Sequence, residues 1–297
     1  MFLNKHIPIS YILNKIKIDL VIIICVSLIV HFIKNKYNSL LPEMPLAIPA
    51  FMGTAISVLL SFKLNQSYDR WWEARQIWGS IVNDSRTLVI QTRSFVMNER
   101  DTLIKKIAYT QIAWCYALGR SLRSLDPLKD MDKYLSHEEI SELNYHANKP
   151  LAILNMQATT IKELLQKGEL DKFERIQLDE TLTRLCESQG KCERIKTTVF
   201  PATYKKYLHV LIYLFVCTLS VSLDNINAMF ELPLLISISS LFFLLEKSAT
   251  HMQDPFENRP TDTAVTAIAR TIEINIKQIL KEKDIPSPIE PVNFYLL

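Results

Sequence analysis

The sequence FMGTAISVLLSFKLNQSYDRWWEARQIWG, residues 51–79, decides the fold of this chain, because an uncharged segment continues without a break into a charged one. Residues 44–62 carry no ionisable side chain, whereas Lys63 begins a run that is rich in charged residues and tryptophan. No glycine or proline occurs from Thr54 to Trp78, so the pattern predicts one helix across both parts. A helix that leaves a bilayer and continues into water is typical of a channel wall and has little use in a soluble enzyme.

Four apolar segments predict four membrane-spanning helices. They are residues 20–33, 44–62, 207–223 and 232–245. A spanning helix needs ~20 mostly apolar residues, so the first and fourth segments must use flanking residues to cross. We therefore expect spanning helices at about residues 18–35, 44–63, 206–223 and 230–246. The alternative is a soluble helical protein in which the four segments are buried helices.

The distribution of lysine and arginine predicts the orientation in the membrane. Three lysines precede the first apolar segment, and residues 224–231 between the third and fourth segments contain no lysine or arginine. Lys34 and Lys36, which lie in the first loop, oppose this assignment. Because basic residues favour the cytoplasmic side, the balance predicts a multi-pass protein with both termini cytoplasmic.

Composition excludes several classes of protein. The 297 residues are 48% hydrophobic and 22% charged, with only 5 glycines and a net charge of +3. Few glycines disfavour turn-rich β folds, and the small net charge gives no reason to expect nucleic acid. The five cysteines are scattered and the histidines lack metal-ligand spacing, so we expect reduced thiols, no metal and no cofactor. No motif supports catalysis, and an enzyme is not expected.

The regions between and after the two pairs of apolar segments predict a cytoplasmic helical region, residues 64–205 and 247–297. A helical spacing of apolar residues from Leu103 to Cys115 indicates an amphipathic helix. Ser136 and Glu139 form a capping-box pattern, and Gly190 is expected to end another helix. No alternating strand pattern stands out, so the sequence predicts an all-α fold. We interpret residues 1–297 as a single channel domain.

Three ordered motifs give the chain a specific resemblance. The sequence SYDRWWEAR, residues 67–75, follows the SFK exit at residues 61–63. Residues 253–262, QDPFENRPTD, come after the fourth apolar segment, and residues 190–195, GKCERI, precede Pro201 and Tyr204. Together with the tail at residues 291–297, these motifs resemble the bestrophin family, and in particular its bacterial branch. The resemblance covers nearly the whole chain in the right order.

The resemblance implies a homopentameric, α-helical ion channel in which the second membrane helix of each subunit lines a hydrophobic neck. Alignment on the tryptophan motif carries the pore neck onto Thr54, Val58 and Phe62. Their i, i+4, i+8 spacing puts them on one face of a helix, and five such faces around an axis make a constriction that can gate by dewetting. Thr54 departs from the apolar neck of the family, so its hydroxyl is expected to ease wetting. The alternative is a face that packs against neighbouring helices.

The resemblance also implies a narrow cytoplasmic aperture, set by an apolar side chain on the helix before Gly190. Counting back without gaps from Gly190 and Pro201 places the aperture at Leu182. An insertion or deletion would move it to Leu178 or Leu185. The alternative is that Leu182 belongs to the core.

Animal bestrophins place a calcium clasp with acidic residues after a Pro-Phe pair, which here is Pro255-Phe256. Arg259 and Pro260 stand where carboxylates would be needed, and calcium requires six to eight oxygen ligands. We therefore expect no calcium site. Asp254 and Asp262 are expected to cap helices or to pair across a subunit interface.

The resemblance, together with the four apolar segments, implies a homopentamer in the lipid bilayer of the cell inner (cytoplasmic) membrane that passes small monovalent ions passively. Resemblance to the bacterial branch favours the cations Na⁺ and K⁺, and a chloride channel of the same fold is the first alternative. A membrane-anchored helical scaffold that conducts nothing is the alternative from another class. A secondary transporter is disfavoured, because the apolar segments show no charges and no broken helices.

Overall fold

The computed structural model describes residues 1, 7–37, 44–96, 101–199, 201–223 and 226–296. Its α-helices are α1 (Ile9–Lys36), α2 (Ala47–Phe95), α3 (Asp101–Leu122), α4 (His137–Asn144), α5 (Lys149–Gln166), α6 (Lys172–Thr197), α7 (Ala202–Ser222), α8 (Ala228–Gln253) and α9 (Val265–Ile279). A short 3₁₀ helix covers Met131–Lys133. The described residues contain no β-strand, only an isolated bridge between Val292 and Tyr295. The all-α prediction is confirmed.

The helices form two compact units. The spanning unit contains the described parts of residues 7–70 and 199–253, and the polar unit contains those of residues 71–198 and 254–296 with Met1. The spanning unit extends about two helical turns beyond residues 63, 206 and 246, which were the predicted limits of the spans. The prediction of a single channel domain is not tested by this division.

The spanning unit contains four helices that are long and apolar enough to cross a membrane: α1, α2, residues 203–222 of α7, and α8. The two short apolar segments do extend into their flanks, because α1 has 28 residues and α8 has 26. Helix α1 packs against α7 and α8. Their shared core includes Ile23, Phe215 and Phe243, all buried. The predicted number of spans, four, is confirmed by length and composition.

Helix α2 is continuous over 49 residues, as the absence of glycine and proline predicted. Its part in the polar unit buries Trp78 completely among the residues of that unit's core. Helix α3 packs against α5, α6 and α9 in the same unit. Its Trp114 is fully buried and donates from Nε1 to Oε1 of Gln189 at 3.1 Å. The long helix therefore carries residues that belong to both cores.

Local capping signals were predicted well and the helix end at Gly190 was not. Ser136 Oγ accepts from the backbone N–H of Glu139 at 3.2 Å, and the backbone N–H of Ser136 donates to Oε2 of Glu139 at 2.9 Å. Helix α6 passes through Gly190 and ends at Thr197. The residues after the glycine, Cys192 and Ile195, are buried, and their packing continues the helix despite the low helix propensity of glycine.

The five cysteines are all free. Burial raises the pKa of the Cys115 thiol to about 12, and it also raises the pKa of Cys192. Both lie in the polar unit, and a raised pKa keeps a thiol protonated and unreactive at neutral pH. These two cysteines therefore act as small core residues.

Candidate pore and buried ion pairs

The predicted neck residues lie on a face of α2 that the protomer leaves uncovered. Val58 is 49% exposed and Phe62 is 64% exposed, and Thr54 is also exposed. On the opposite face, Ile56 and Leu60 are 0% and 3% exposed. We call the uncovered surface formed by Thr54, Val58 and Phe62 the neck face. An apolar face with no cover in its own chain needs lipid, another subunit or a pore beside it.

The hydroxyl of Thr54 is already used within the helix. Its Oγ1 donates to the carbonyl oxygen of Ala50 at 3.0 Å. This bond occupies the donor and leaves only the lone pairs of the oxygen for water. Thr54 can therefore offer water an acceptor, and its effect on wetting stays a prediction.

The same face becomes polar beyond the neck. Asn65 and Asp69 are exposed and follow Phe62 by three and seven residues, so they continue its side of the helix. Asp69 is the first acidic residue after Phe62 in the sequence. Its carboxylate gives this end of the face a negative charge.

Lys63, next to Phe62 in sequence, points away from the neck face into a buried cluster. Its Nζ lies 2.6 Å from Oε1 of Glu246 and 2.9 Å from Oγ1 of Thr250. His209 Nε2 lies 3.3 Å from the other oxygen of Glu246. Lys63 and Glu246 are 1% and 0% exposed. We call these four residues the Glu246 cluster.

A second cluster surrounds Glu231 at the other end of α8. Lys34 Nζ lies 2.9 Å from Oε2 of Glu231 and donates to the carbonyl oxygens of Ser220 and Leu223 at 3.2 and 3.3 Å. His31 Nδ1 is 3.1 Å from the same carboxylate oxygen. We call this the Glu231 cluster. A cation on the last carbonyls of α7 is stabilised by the dipole of that helix.

The two clusters correct two parts of the sequence analysis. Lys34 is 3% exposed and paired with Glu231, so it is not a free basic residue of the first loop, whereas the exposed Lys36 still opposes the predicted orientation. The spanning helices also do contain buried charge, including Asp19, which lies 3.2 Å from Lys247. The charged residues themselves could be identified from the sequence, since they flank the apolar segments. The pairing was not visible, because the partners lie far apart in the chain. Asp224 and Asn225 of the second loop lie outside the described residues.

The burial of Leu182 argues against its predicted role at the aperture. Leu182 is 7% exposed, and the alternatives Leu178 and Leu185 are both 0% exposed. All three belong to the core of the polar unit, so the protomer covers the side chains that an aperture would need. The large exposed apolar side chains of α6 are instead Phe173 and Ile176, at 78% and 54%.

Asp262 is fully buried and closes a local turn. Its Oδ2 accepts from the backbone N–H of Arg259 at 3.0 Å, while its own N–H donates to the Arg259 carbonyl at 3.0 Å. Burial raises the pKa of Asp262, and the charge of Arg259 opposes that rise. Asp262 thus caps a turn rather than a helix. The described residues contain no group of three or more acidic, histidine or cysteine side chains placed to hold a metal.

Calcium chelation is expected to leave the activity of the protein unchanged, because the Asp262 carboxylate already accepts a backbone bond and Arg259 supplies a nearby positive charge. The measurement is ion flux into proteoliposomes with EGTA, with micromolar calcium, or with magnesium. A loss of flux with EGTA that calcium restores and magnesium does not would contradict this expectation.

The tryptophan motif contacts each of the other two motifs in the fold. Arg70 Nε donates to the carbonyl oxygen of Gln253 at 2.9 Å within the spanning unit. Within the polar unit, Trp71 Nε1 donates to the carbonyl oxygen of Thr261 at 3.0 Å, and Glu73 pairs with Arg194 at 2.6 Å. The tryptophan motif is therefore the common partner of the other two motifs.

Four spanning helices, a long helix with an uncovered apolar face and buried ion pairs at the helix ends define an integral membrane protein of the channel-forming class. The sequence profile described as Bacterial/Fungal Bestrophin protein matches residues 6–278. The chain therefore belongs to the bacterial and fungal bestrophin family. It is not a member of an enzyme family.

Solved and curated relatives support the assignment over most of the chain. A bacterial bestrophin homologue from Klebsiella pneumoniae has a crystal structure that matches with a TM-score of 0.84 at 27% identity, covering 91% of this chain and 100% of that one. YneE of Escherichia coli K12, named a voltage-dependent anion channel-forming protein, is 29% identical over 96% of this chain and 93% of its own length. A protein of the same descriptive name from Ralstonia nicotianae is 26% identical over 89% and 86%.

Proposed function

We propose that this chain forms a homopentameric channel through which small inorganic ions pass passively along an axis lined by the neck faces of five α2 helices. The observation that carries the proposal is the exposure of Val58 and Phe62 on a helix whose opposite face is buried. Family membership supports the same function. A narrow apolar constriction can empty of water and so close without a moving plug.

We also propose that the permeant ion is an anion. The relatives named above are called anion channel-forming proteins, whereas the cation preference inferred from the sequence is not confirmed. The neck face has no ionised side chain, so it cannot select by simple charge attraction. Aromatic ring edges are positive, and the ring of Phe62 can present that edge to an anion that has lost part of its water.

The second candidate is a channel for Na⁺ and K⁺, and Asp69 favours it. Five exposed carboxylates at one end of the neck face would raise the local concentration of cations. Neutralising this residue, as in Asp69→Asn, separates the two candidates. An anion channel should keep the sign of its selectivity in that variant, whereas a cation channel should lose much of its preference.

The test combines mass and electrical recording. The purified assembly should have about five times the mass of the 34.4 kDa chain, apart from bound detergent. In planar bilayers under an asymmetric KCl gradient, the reversal potential should move toward the chloride equilibrium potential. A shift toward the potassium potential would reject the anion proposal, and a pure pentamer without conductance would favour the scaffold alternative.

The aperture proposal moves from Leu182 to Ile176, since Ile176 is exposed on α6 and Leu182 is buried. Ile176→Ala is expected to change single-channel conductance severalfold at most without loss of assembly, because it removes bulk from an exposed side chain. Leu182→Ala is expected to reduce stability by roughly 2–5 kcal/mol, as large-to-small core substitutions do. Single-channel recording and thermal unfolding distinguish them. A conductance change with Leu182→Ala and none with Ile176→Ala would restore the original assignment.

The proposed orientation keeps both termini in the cytoplasm. Single cysteines at Asn227 and Glu290, on a background without the five native cysteines, report it with an impermeant thiol reagent. We expect labelling at position 227 and none at position 290 in intact cells, because the loop near Asn227 lacks basic residues. Labelling at 290 alone would invert the topology.

A further inference from the structure

Helix α2 is attached to the other helices of the spanning unit by one narrow seam. The buried positions of this part of the helix are Pro49, Ile56, Leu60, Lys63 and Ser67. Their spacing of three, four or seven residues makes a single line on the side opposite the neck face. Neutral contacts accompany it: Gly53 lies against the ring of Phe215, Thr218 Oγ1 donates to Sδ of Met52 at 3.5 Å, and the Tyr204 hydroxyl donates to the Leu59 carbonyl at 2.8 Å. Seven residues after Lys63, the charged Arg70 also donates to the carbonyl oxygen of Gln253.

Lys63 is the ionised member of this buried line, and its partners are on another helix. The ammonium group contacts Glu246 and Thr250 of α8, and Thr250 also donates to the same carboxylate oxygen at 2.8 Å. His209 of α7 approaches the second oxygen of Glu246. The Glu246 cluster thus joins the neck helix by charge to α8, with α7 in contact.

We infer that the ion pair between Lys63 and Glu246 is a positioning element that sets the rotation of α2 about its own axis and so keeps Phe62 on the pore side. Successive residues of an α-helix are about 100° apart, so Lys63 cannot keep its partner if α2 turns far enough to carry Phe62 away. A buried charge that loses its partner is costly, which penalises rotation in either direction.

An apolar seam alone would give a weaker constraint on rotation. Ile56 and Leu60 can exchange one apolar neighbour for another, whereas an ammonium group requires a carboxylate or oxygen at hydrogen-bond distance. In some coiled coils a single buried polar residue fixes the register of the helices at a cost in stability. The role of Phe62 as a pore residue rests on the proposed function, whereas the contact of Lys63 with Glu246 is present in the structure itself.

The test compares two matched double variants. Lys63→Met/Glu246→Met removes the ion pair and leaves no unpaired partner of that pair, and such replacements usually preserve folding. Lys34→Met/Glu231→Met makes the same chemical change in another buried ion pair of α8, whose described contacts lie on α1 and α7. Both variants are first checked for the oligomer mass of the wild type.

The first readout is accessibility and does not need ion conduction. Cysteine is placed at Phe62 or at Leu60 on a background without native cysteines, and the rate of modification by a small water-soluble thiol reagent is measured. In Lys63→Met/Glu246→Met, the ratio of the rate at 62 to the rate at 60 is expected to fall on the order of tenfold, within the usual range of coupling between sites. The control variant should keep the wild-type ratio.

The second readout is conductance, and it separates failure of the inference from failure of the pore assignment. Phe62→Ala should alter conductance in the wild-type background and have little effect in Lys63→Met/Glu246→Met. An unchanged accessibility ratio would overturn the positioning role, as would an equal change in both double variants. A changed accessibility ratio together with no effect of Phe62→Ala on the wild-type conductance would support the positioning of α2 and reject the neck assignment.

Discussion

Phe62→Ala is expected to raise the open probability of the channel on the order of tenfold, and Val58→Ala to raise it less. Exposing a phenyl side chain to water costs about 1.5–3 kcal/mol relative to keeping it dry, and a change of about 1.4 kcal/mol is a factor of ten in an equilibrium. Phe62 is more exposed than Val58, so its removal should widen and wet the constriction more. Single-channel recording of the purified assembly measures both conductance and open probability.

The matched control for this experiment is Phe32→Ala. Phe32 lies on α1 and is 66% exposed, which is close to the 64% of Phe62, but it does not belong to the neck face. Its loss should leave the currents unchanged. If Phe62→Ala and Val58→Ala both behave like the wild type while the pentamer persists, the neck assignment is wrong.

Glu231→Gln is expected to destabilise the spanning unit strongly, by about 3–5 kcal/mol, because it removes the negative charge beside a buried lysine. Lys34 is 3% exposed and its remaining contacts are to two carbonyl oxygens, which cannot neutralise it. Resistance of the assembly to heat or to SDS-driven unfolding measures the loss.

The double variant Lys34→Met/Glu231→Met provides the control, since removal of both charges leaves no uncompensated ion. It should recover most of the stability that Glu231→Gln loses. Equal stability of Glu231→Gln and the wild type would show that the Glu231 cluster contributes nothing to the fold, and that Lys34 finds a neutral or solvated state.

The sequence alone determined the all-α class of this protein, its four spanning helices and the family to which it belongs. Residues 44–62 lack charge, and no breaker follows before Trp78, so local propensity and hydropathy were sufficient to predict the long helix α2. The capping box at Ser136 was equally local. Gly190 was misjudged because the packing of Cys192 and Ile195 outweighs the preference of a single glycine.

Only the tertiary structure decided which helix faces are covered and which charges are paired. The helical period places Thr54, Val58 and Phe62 on one face of α2, and Leu178, Leu182 and Leu185 on one face of α6, but both sets are mostly apolar and the sequence does not distinguish them. The protomer leaves the first set exposed and buries the second. Lys63 meets Glu246 and Lys34 meets Glu231 across nearly two hundred positions of the chain. Hydropathy counts such residues as charges in water, whereas the folded helices remove them from water and neutralise them in pairs.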